Sequence, residues 1–274
     1  MPSLNTISSD KLARLVALPG SPTLVDIRLA PKQAVPGSIF RSFDKPDDWS
    51  AIKAASVVVI DEAGDGRAVA AASILRSEGV AADALEGGFA SWLAAGFSTV
   101  SLDHLPPRHS DGRTWWVTRA RPKVDRIACP WLIRRFIDPE ARFLFVAPSE
   151  VVTIATQQQA EPFDVSDQGV LWSHRGERCT FDVMLEAFGL SANDALVRVA
   201  SIVRGADTDR LDIAPEAAGL LAISLGLSRI HDDDHAQLEA GMAVYDALYR
   251  WSRDAQGEKH NWTSHQPARG KISA

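Results

Sequence analysis

The sequence predicts an α/β domain with a parallel sheet, followed by a mostly helical α+β domain. Three observations predict this. Over residues 1–100, short β-prone runs alternate with helix-prone runs, the pattern of a parallel sheet with helices on its faces. Over residues 114–255, helical stripes dominate and strands are few. Between them residues 101–113, SLDHLPPRHSDGR, hold two prolines, a glycine and no apolar period, as a linker does. A chain of 274 residues accommodates two domains at ~100–200 residues each. Residues 256–274 read as a polar tail.

In the first domain, residues 9–18 form a short amphipathic helix with Leu12, Leu15 and Val16 on one stripe. Thr23 to Ile27 is a buried strand, and Pro36-Gly37-Ser38-Ile39 turns into another apolar piece. Ser56 to Ile60 is a near-continuous β-branched run, as in a parallel strand covered on both faces. The loop Asp61 to Gly66 leads into a helix from Arg67 to Glu78, ended by Gly79. Leu85 to Phe89 then turns into a helix through Trp92 and Leu93, closed by Gly96.

The second domain opens on its most unusual stretch. Thr114 to Val146 packs three tryptophans, six arginines, a lysine and a cysteine. Trp115–Val117 and Phe143–Val146 are strand-like. A helix lies between them, stopped at Asp138-Pro139, because the residue before proline leaves the α region. Pro130 is expected in its first turn. Residues 149–156 read as a short helix, and Phe163–Val165 and Val170–Trp172 as short strands. After a turn at Arg175–Glu177, Thr180 is the expected N-cap of a helix striped by Phe181, Met184, Leu185 and Phe188. A second helix follows Ser191 and ends at Gly205, leaving Asp207–Asp209 as a loop. Pro215 opens a third, closed by Gly226. The last starts at Asp232–Asp234, acids suited to its positive end, and carries Leu238, Met242, Tyr245 and Tyr249.

Composition excludes several classes. Net charge is −6, from 29 basic and 35 acidic residues, so neither nucleic acid nor an anionic membrane is an expected partner. The two cysteines, Cys129 and Cys179, make no disulfide framework and suit a reducing cytoplasm. No apolar run approaches the ~18 residues of a membrane span, and the N-terminus lacks a secretory pattern.

Two groups of residues could carry chemistry. The arginines repel one another unless acids or an anion sit among them. Either Asp125, Asp138 and Glu140 pair with them, or Arg119, Arg126 and Arg135, joined by His174, face a bound oxyanion, which guanidinium forks match. The second group is His174, Asp182 and Asp207. A histidine with carboxylates suits divalent Mn, Fe or Zn. Asp182 equally suits a helix N-terminal acid, and Cys179 a small buried residue. His231 and His235 have i, i+4 spacing, but His231 precedes the helix and the intervening aspartates read as a cap. His104 and His109 read as solvated linker residues.

Several runs carry a resemblance. V-D-R-I-A-C-P-W-L-I-R-R-F-I-D-P-E-A, Cys179-Thr180-Phe181-Asp182 and Gly241 to Tyr249 resemble the C-terminal domain of the chromate-resistance protein B family over Thr114 to Trp251. That resemblance implies chromate sensing or resistance. Regulators of that family carry a DNA-binding module ahead of this domain; here another module stands there, so direct DNA contact is not expected. Val25-Asp26-Ile27-Arg28, Pro36 to Ile39, Val57 to Ile60, Arg67 and Glu86 to Phe89 with Trp92 resemble a rhodanese-like domain over Ser9 to Phe97. Its sulfurtransferases place a nucleophilic cysteine at the head of the loop after the central strand. Here that loop reads D-E-A-G-D-G-R, with Asp61 or Glu62 in the cysteine's place and Arg67 behind. A carboxylate cannot accept sulfane sulfur as a thiolate does. The first domain is therefore expected to be a pseudo-enzyme, its acidic loop favouring a cation or its own N–H groups. Three functions follow as expectations. One is a chromate-responsive protein binding an oxyanion, with room for a divalent metal. The second is a metal-dependent lyase, hydrolase or oxidoreductase using His174, Asp182 and Asp207. The third is an adaptor docking partners through the inactive first domain. An oligomer is compatible with all three.

Overall fold

The computed structural model describes residues 5–45, 52, 54–166 and 169–258. From residue 259 the expected polar tail lies outside the described residues.

The first domain runs β1 (Thr6–Ile7), α1 (Ser9–Ala13), β2 (Thr23–Asp26), β3 (Gln33–Ala34), β4 (Ser38–Phe40), β5 (Ser56–Ile60), α2 (Arg67–Ser77), β6 (Ala81–Leu85), α3 (Gly88–Ala94) and β7 (Val100–Ser101). Five strands pair in the order β1-β6-β5-β2-β4, every pair parallel. The β-branched run of β5 is central and covered on both faces, as expected. Val57 and Val59 face a core with Ala68, Ala72 and Leu75 of α2. Val58 and Ile60 face the other core, with Leu24, Phe89 and Trp92. Helix α1 is shorter than the sequence stripe, because the Ser21 hydroxyl takes up the Leu15 and Leu18 carbonyls in a turn instead.

The second domain contains β8 (Trp115–Arg119), α4 (Asp125–Leu132) with a π turn at Ile133–Ile137, and β9 (Arg142–Val146). It continues with a 3₁₀ turn (Pro148–Glu150), α5 (Val151–Gln158), β10 (Glu161–Pro162), α6 (Thr180–Ala187), α7 (Asp194–Asp207), α8 (Ala217–Ile230) and α9 (Asp234–Asp254). Strands β10, β8 and β9 form a three-stranded parallel sheet in that order. The arginine-rich stretch is thus a β-α-β unit. Its helix starts at Asp125, so Arg126 lies on the helix and Pro130 lies in the second turn rather than the first. The wide π turn follows, closed by Asp138 N–H on the Ile133 carbonyl at 2.7 Å. The strands expected at Phe163–Val165 and Val170–Trp172 reduce to one bridge, Phe163 with Trp172. Cys179, not Thr180, is the N-cap of α6. Helices α7 and α8 run past Gly205 and Gly226. Gly205 is held in the last turn of α7 because a Cβ there would lie 2.9 Å from the Ala217 Cβ.

The two domains share one continuous apolar core, which joins Leu12, Leu24 and Trp92 to Trp131, Phe136 and Tyr249. Backbone contacts cross the junction. Gly37 N–H donates to the Phe136 carbonyl at 2.7 Å. Gly37 has φ +79, and an added Cβ would lie 2.9 Å from the Arg135 carbonyl oxygen, so only glycine fits. Arg41 pairs with Glu140 at 2.7 Å across the same seam.

Candidate functional site

Four side chains from four separate segments meet beside the second sheet. Asp125 is the first residue of α4, entered through Val124 at φ 38, a strained position for a β-branched residue. Two bonds pin that entry: Val124 N–H donates to Ser224 Oγ at 2.9 Å, and Tyr245 Oη donates to the Val124 carbonyl at 2.8 Å. The Asp125 carboxylate is fully buried and caps α6 from outside, accepting Thr180 N–H at 2.7 Å and Phe181 N–H at 3.1 Å. Asp164 follows the Phe163–Trp172 bridge at φ 51 and is buried. His174 lies two residues beyond that bridge. Asp207 is the last residue of α7, not a loop residue as expected.

His174 Nε2 sits among the carboxylates, 3.1 Å from Asp207 Oδ2, 3.5 Å from Asp164 Oδ1 and 3.7 Å from Asp125 Oδ2. One donor atom each from Asp125, His174 and Asp207 lie within 4.8 Å of one another. That spacing makes the three a candidate group for one ion. The electrostatics are uneven. Hydrogen bonds to Asp164 and Asp207 raise the His174 pKa to about 10, against the opposing effect of burial. Burial pushes the Asp125 carboxyl well above its usual range, reinforced by the Asp207 and Asp164 charges. Burial works to raise Asp164 too, but the His174 hydrogen bond and the charges of Arg119 and Arg126 carry it below the usual range.

The arginines are paired, and not to the acids expected. Arg119 Nη2 lies 2.9 Å from Asp164 Oδ2, and Arg126 Nε 3.3 Å from the same oxygen. Arg135 instead makes two bonds of 2.8 Å to Asp246 on α9. It lines a cleft of about 420 Å³ between the domains, with Arg134, Gly37 and Pro19. Arg119 and Arg126 therefore converge with His174 on Asp164, and Arg135 does not join them. Of the acids read as their partners, Asp138 holds Arg108 at 3.2 Å and Thr114, Glu140 holds Arg41, and Asp125 holds none.

Asp182 is displaced from the expected metal set. It closes a capping box at the start of α6, accepting Cys179 N–H at 3.1 Å, and pairs with Arg204 at 2.9 Å. Its oxygens lie outside the Asp125–His174–Asp207 group, and it serves as a capping acid. Asp125 takes its place among the donors, and Asp164 is the further residue that sequence reasoning missed. Cys129 and Cys179 are free and buried, burial raises both thiols, and neither belongs to the Asp125–His174–Asp207 group. His231 is the C-cap of α8 and only His235 lies on α9, so that pair shares no helix. His109 is not merely solvated: it stacks on Trp115 with centroids 4.5 Å apart, and its Nε2 meets the Gln159 carbonyl at 3.0 Å. His104 meets Trp172 edge-on at 6.2 Å.

In the first domain the loop after β5 is filled by its own acid. Asp61 is fully buried and accepts Gly64 N–H at 2.7 Å and Ala68 N–H at 3.1 Å, the latter in the first turn of α2. Glu62 is exposed and reaches Arg28 at 3.5 Å, while Arg67 pairs with Asp65 at 2.9 Å.

Residues 116–252 match the family described as ChrB, C-terminal domain. That is half of the chain, and the chain belongs to this family. Protein ChrB of Cupriavidus metallidurans is 36% identical over 149 residues, covering 54% of this chain and 44% of that protein. The chain thus spans less than half the length of that curated relative. The first domain is similar to a rhodanese-related protein from Thermoplasma volcanium, 22% identical with a TM-score of 0.32, over 35% of this chain and 98% of the other. It is also similar to thiosulfate sulfurtransferase from Pseudomonas aeruginosa, 23% identical with a TM-score of 0.31, over 36% of this chain and 19% of the other. Likeness at that level says nothing of activity. Among the described residues, no helix is long and apolar enough to cross a membrane.

Proposed function

We propose that the second domain binds a divalent cation, Mn, Fe or Zn, through Asp125, His174 and Asp207, and holds an oxyanion of the chromate type at the adjoining Arg119 and Arg126. The observation that carries this is the meeting of three donor groups within 4.8 Å, with two guanidiniums one carboxylate away. Imidazole with carboxylate oxygens suits these metals. Charge balance supports the pairing of cation and anion. Three aspartates against two arginines leave an excess negative charge when His174 is neutral. A divalent ion reverses the sign, and the reversed site attracts a dianion. Asp164 links the two halves, since one oxygen faces His174 and the other the arginines. Membership of the ChrB family favours chromate as the oxyanion, for a resistance or sensing role in a reducing cytoplasm where Cys129 and Cys179 stay thiols.

Calorimetry tests this. Chromate titrated into metal-loaded protein should release or absorb heat with one-to-one stoichiometry, and Arg126→Ala should abolish the signal. Absence of chromate binding by both metal-free and metal-loaded protein overturns the oxyanion reading. A second reading, a metal-dependent enzyme, draws on one observation. His174 is 41% exposed, so a bound ion would keep coordination positions open to water or substrate. Hydrolase, lyase and oxidase assays on metal-loaded protein, compared with Asp207→Asn, would separate it from simple binding.

A further inference from the structure

The chain that enters α4 is gripped from one side. Residues 121–124 join β8 to Asp125, and two of them, Arg121 and Val124, take positive φ, 57 and 38. For the β-branched Val124 that conformation is costly, and surrounding contacts must hold it. Helices α8 and α9 supply the grip. Arg121 N–H donates to Asp234 Oδ1 at 3.0 Å, and its guanidinium donates to the Ser228 and His231 carbonyls. Gln237 Nε2 donates to the Pro122 carbonyl. Ser224 Oγ accepts the Val124 N–H, and Tyr245 Oη donates to the Val124 carbonyl.

The Tyr245 bond does more than satisfy an oxygen. The Val124 carbonyl already accepts the Ala128 N–H at 2.8 Å, the ordinary bond of a first helical turn. That carbonyl belongs to the peptide group between Val124 and Asp125, so a second bond to it fixes the plane from which Asp125 departs. Helix α9 has no slack in delivering this bond. Gly241, one turn before Tyr245, would place a Cβ 2.5 Å from Ile127 of α4. Asp125 is also the donor whose aim matters most. Its Oδ2, at 3.7 Å, is the farthest of the three carboxylates from His174 Nε2, against 3.5 Å for Asp164 and 3.1 Å for Asp207. Any drift of Asp125 opens the group that one ion must span.

We propose that Tyr245, with Ser224, is a positioning residue of the cation site. It holds Val124 in its strained form and so sets the place of the Asp125 carboxylate between the α6 amides and the His174–Asp207 pair. This rests on the cation reading above and adds that α8 and α9, which contribute no ligand, set the affinity of the site. Contacts behind a ligand commonly change metal affinity by about 10–100-fold.

Tyr245→Phe in the full chain tests this, because the ring stays packed against Trp131 and the Val124 carbonyl keeps its Ala128 partner. By titration with Mn, Tyr245→Phe should bind the ion about tenfold more weakly than wild type. In metal-free protein the amide signals of Thr180 and Phe181, both bonded to the Asp125 carboxylate, should shift in nuclear magnetic resonance spectra. Adding Val124→Gly to Tyr245→Phe should recover most of the lost affinity and return both signals toward wild type, since glycine takes positive φ at lower cost. A tyrosine that merely packs gives no such rescue. Wild-type affinity in Tyr245→Phe, unmoved Thr180 and Phe181 signals, or a double variant no better than Tyr245→Phe overturns the positioning role. A wild type that binds no Mn overturns the cation reading instead, and the metal-free amide signals still decide whether Tyr245 places Asp125.

Discussion

Asp61 and Asp125 are the same device used to different ends. Each is a fully buried aspartate that reaches the N-terminal amides of a helix it does not belong to: α2 for Asp61, α6 for Asp125. In the first domain the account closes there. Gly64 and Ala68 satisfy the carboxylate, and the loop amides hold the chain's own anion. In the second domain the same kind of cap is crowded by Asp164 and Asp207, with His174 wedged between. A buried carboxylate with its amides is structure. One with two further carboxylates at the same point needs cations there, which His174 and the two arginines supply in the metal-free protein and which a bound ion would supply in place of the His174 proton.

The largest way to sharpen this contrast is to supply the cation. At a hundredfold excess of free metal over its Kd, the folded state should gain about 2.7 kcal/mol. Thermal melts should show the gain in wild type and in Asp61→Ala, and its loss in Asp207→Asn. Next comes the cost of each cap. Asp61→Ala strands the buried Ala68 N–H, leaves the exposed Gly64 N–H to water, and should destabilise by about 2 kcal/mol in denaturant unfolding. Asp125→Ala strands two buried N–H groups but also removes repulsion from Asp164 and Asp207, so its net cost should be smaller, about 1 kcal/mol. The reverse ranking would break the comparison.

A pH series gives a smaller effect. The His174 pKa is raised on folding, to about 10, through its hydrogen bonds to Asp164 and Asp207. Its contribution to stability is therefore complete below its unfolded value of about 6.5 and fades as pH rises through about 10. Metal-free wild type should lose stability over that window, and His174→Ala should show a flatter profile. The smallest expected signal is none at all: with thiosulfate and cyanide the protein should show no sulfur transfer above background, because Asp61 offers no thiol and already occupies the loop amides.

Much of the fold was legible in the residues. The β-branched run of β5, the strand–helix–strand reading of Trp115 to Val146 and the stripe of α6 follow from local period and turn chemistry. The two-residue strands β1, β3 and β7 were not, since a run that short has no period. At the site, His174 and Asp207 were legible as a histidine and an acid near chain turns. Asp182 was misread because an acid at the third position of a helix carries the same mark whether it caps or ligates. Asp125 was read as a partner for the arginines. Its contact with Thr180, 55 residues on, is one that no local pattern shows. The arginines advertised their charge but not their partners. Arg119 and Arg126 turn to Asp164 and Arg135 to Asp246, so the free three-guanidinium pocket expected from sequence is replaced by a pair held on a shared carboxylate.

The central claim is that Asp125, His174 and Asp207 form one cation site, and metal content after equilibrium dialysis tests it most directly. Protein stripped with chelator and dialysed against Mn or Zn should retain one ion per chain. Asp207→Asn should retain none, and Asp61→Ala should match wild type. A wild type that keeps no metal, or an Asp207→Asn protein that keeps as much as wild type, would contradict the claim.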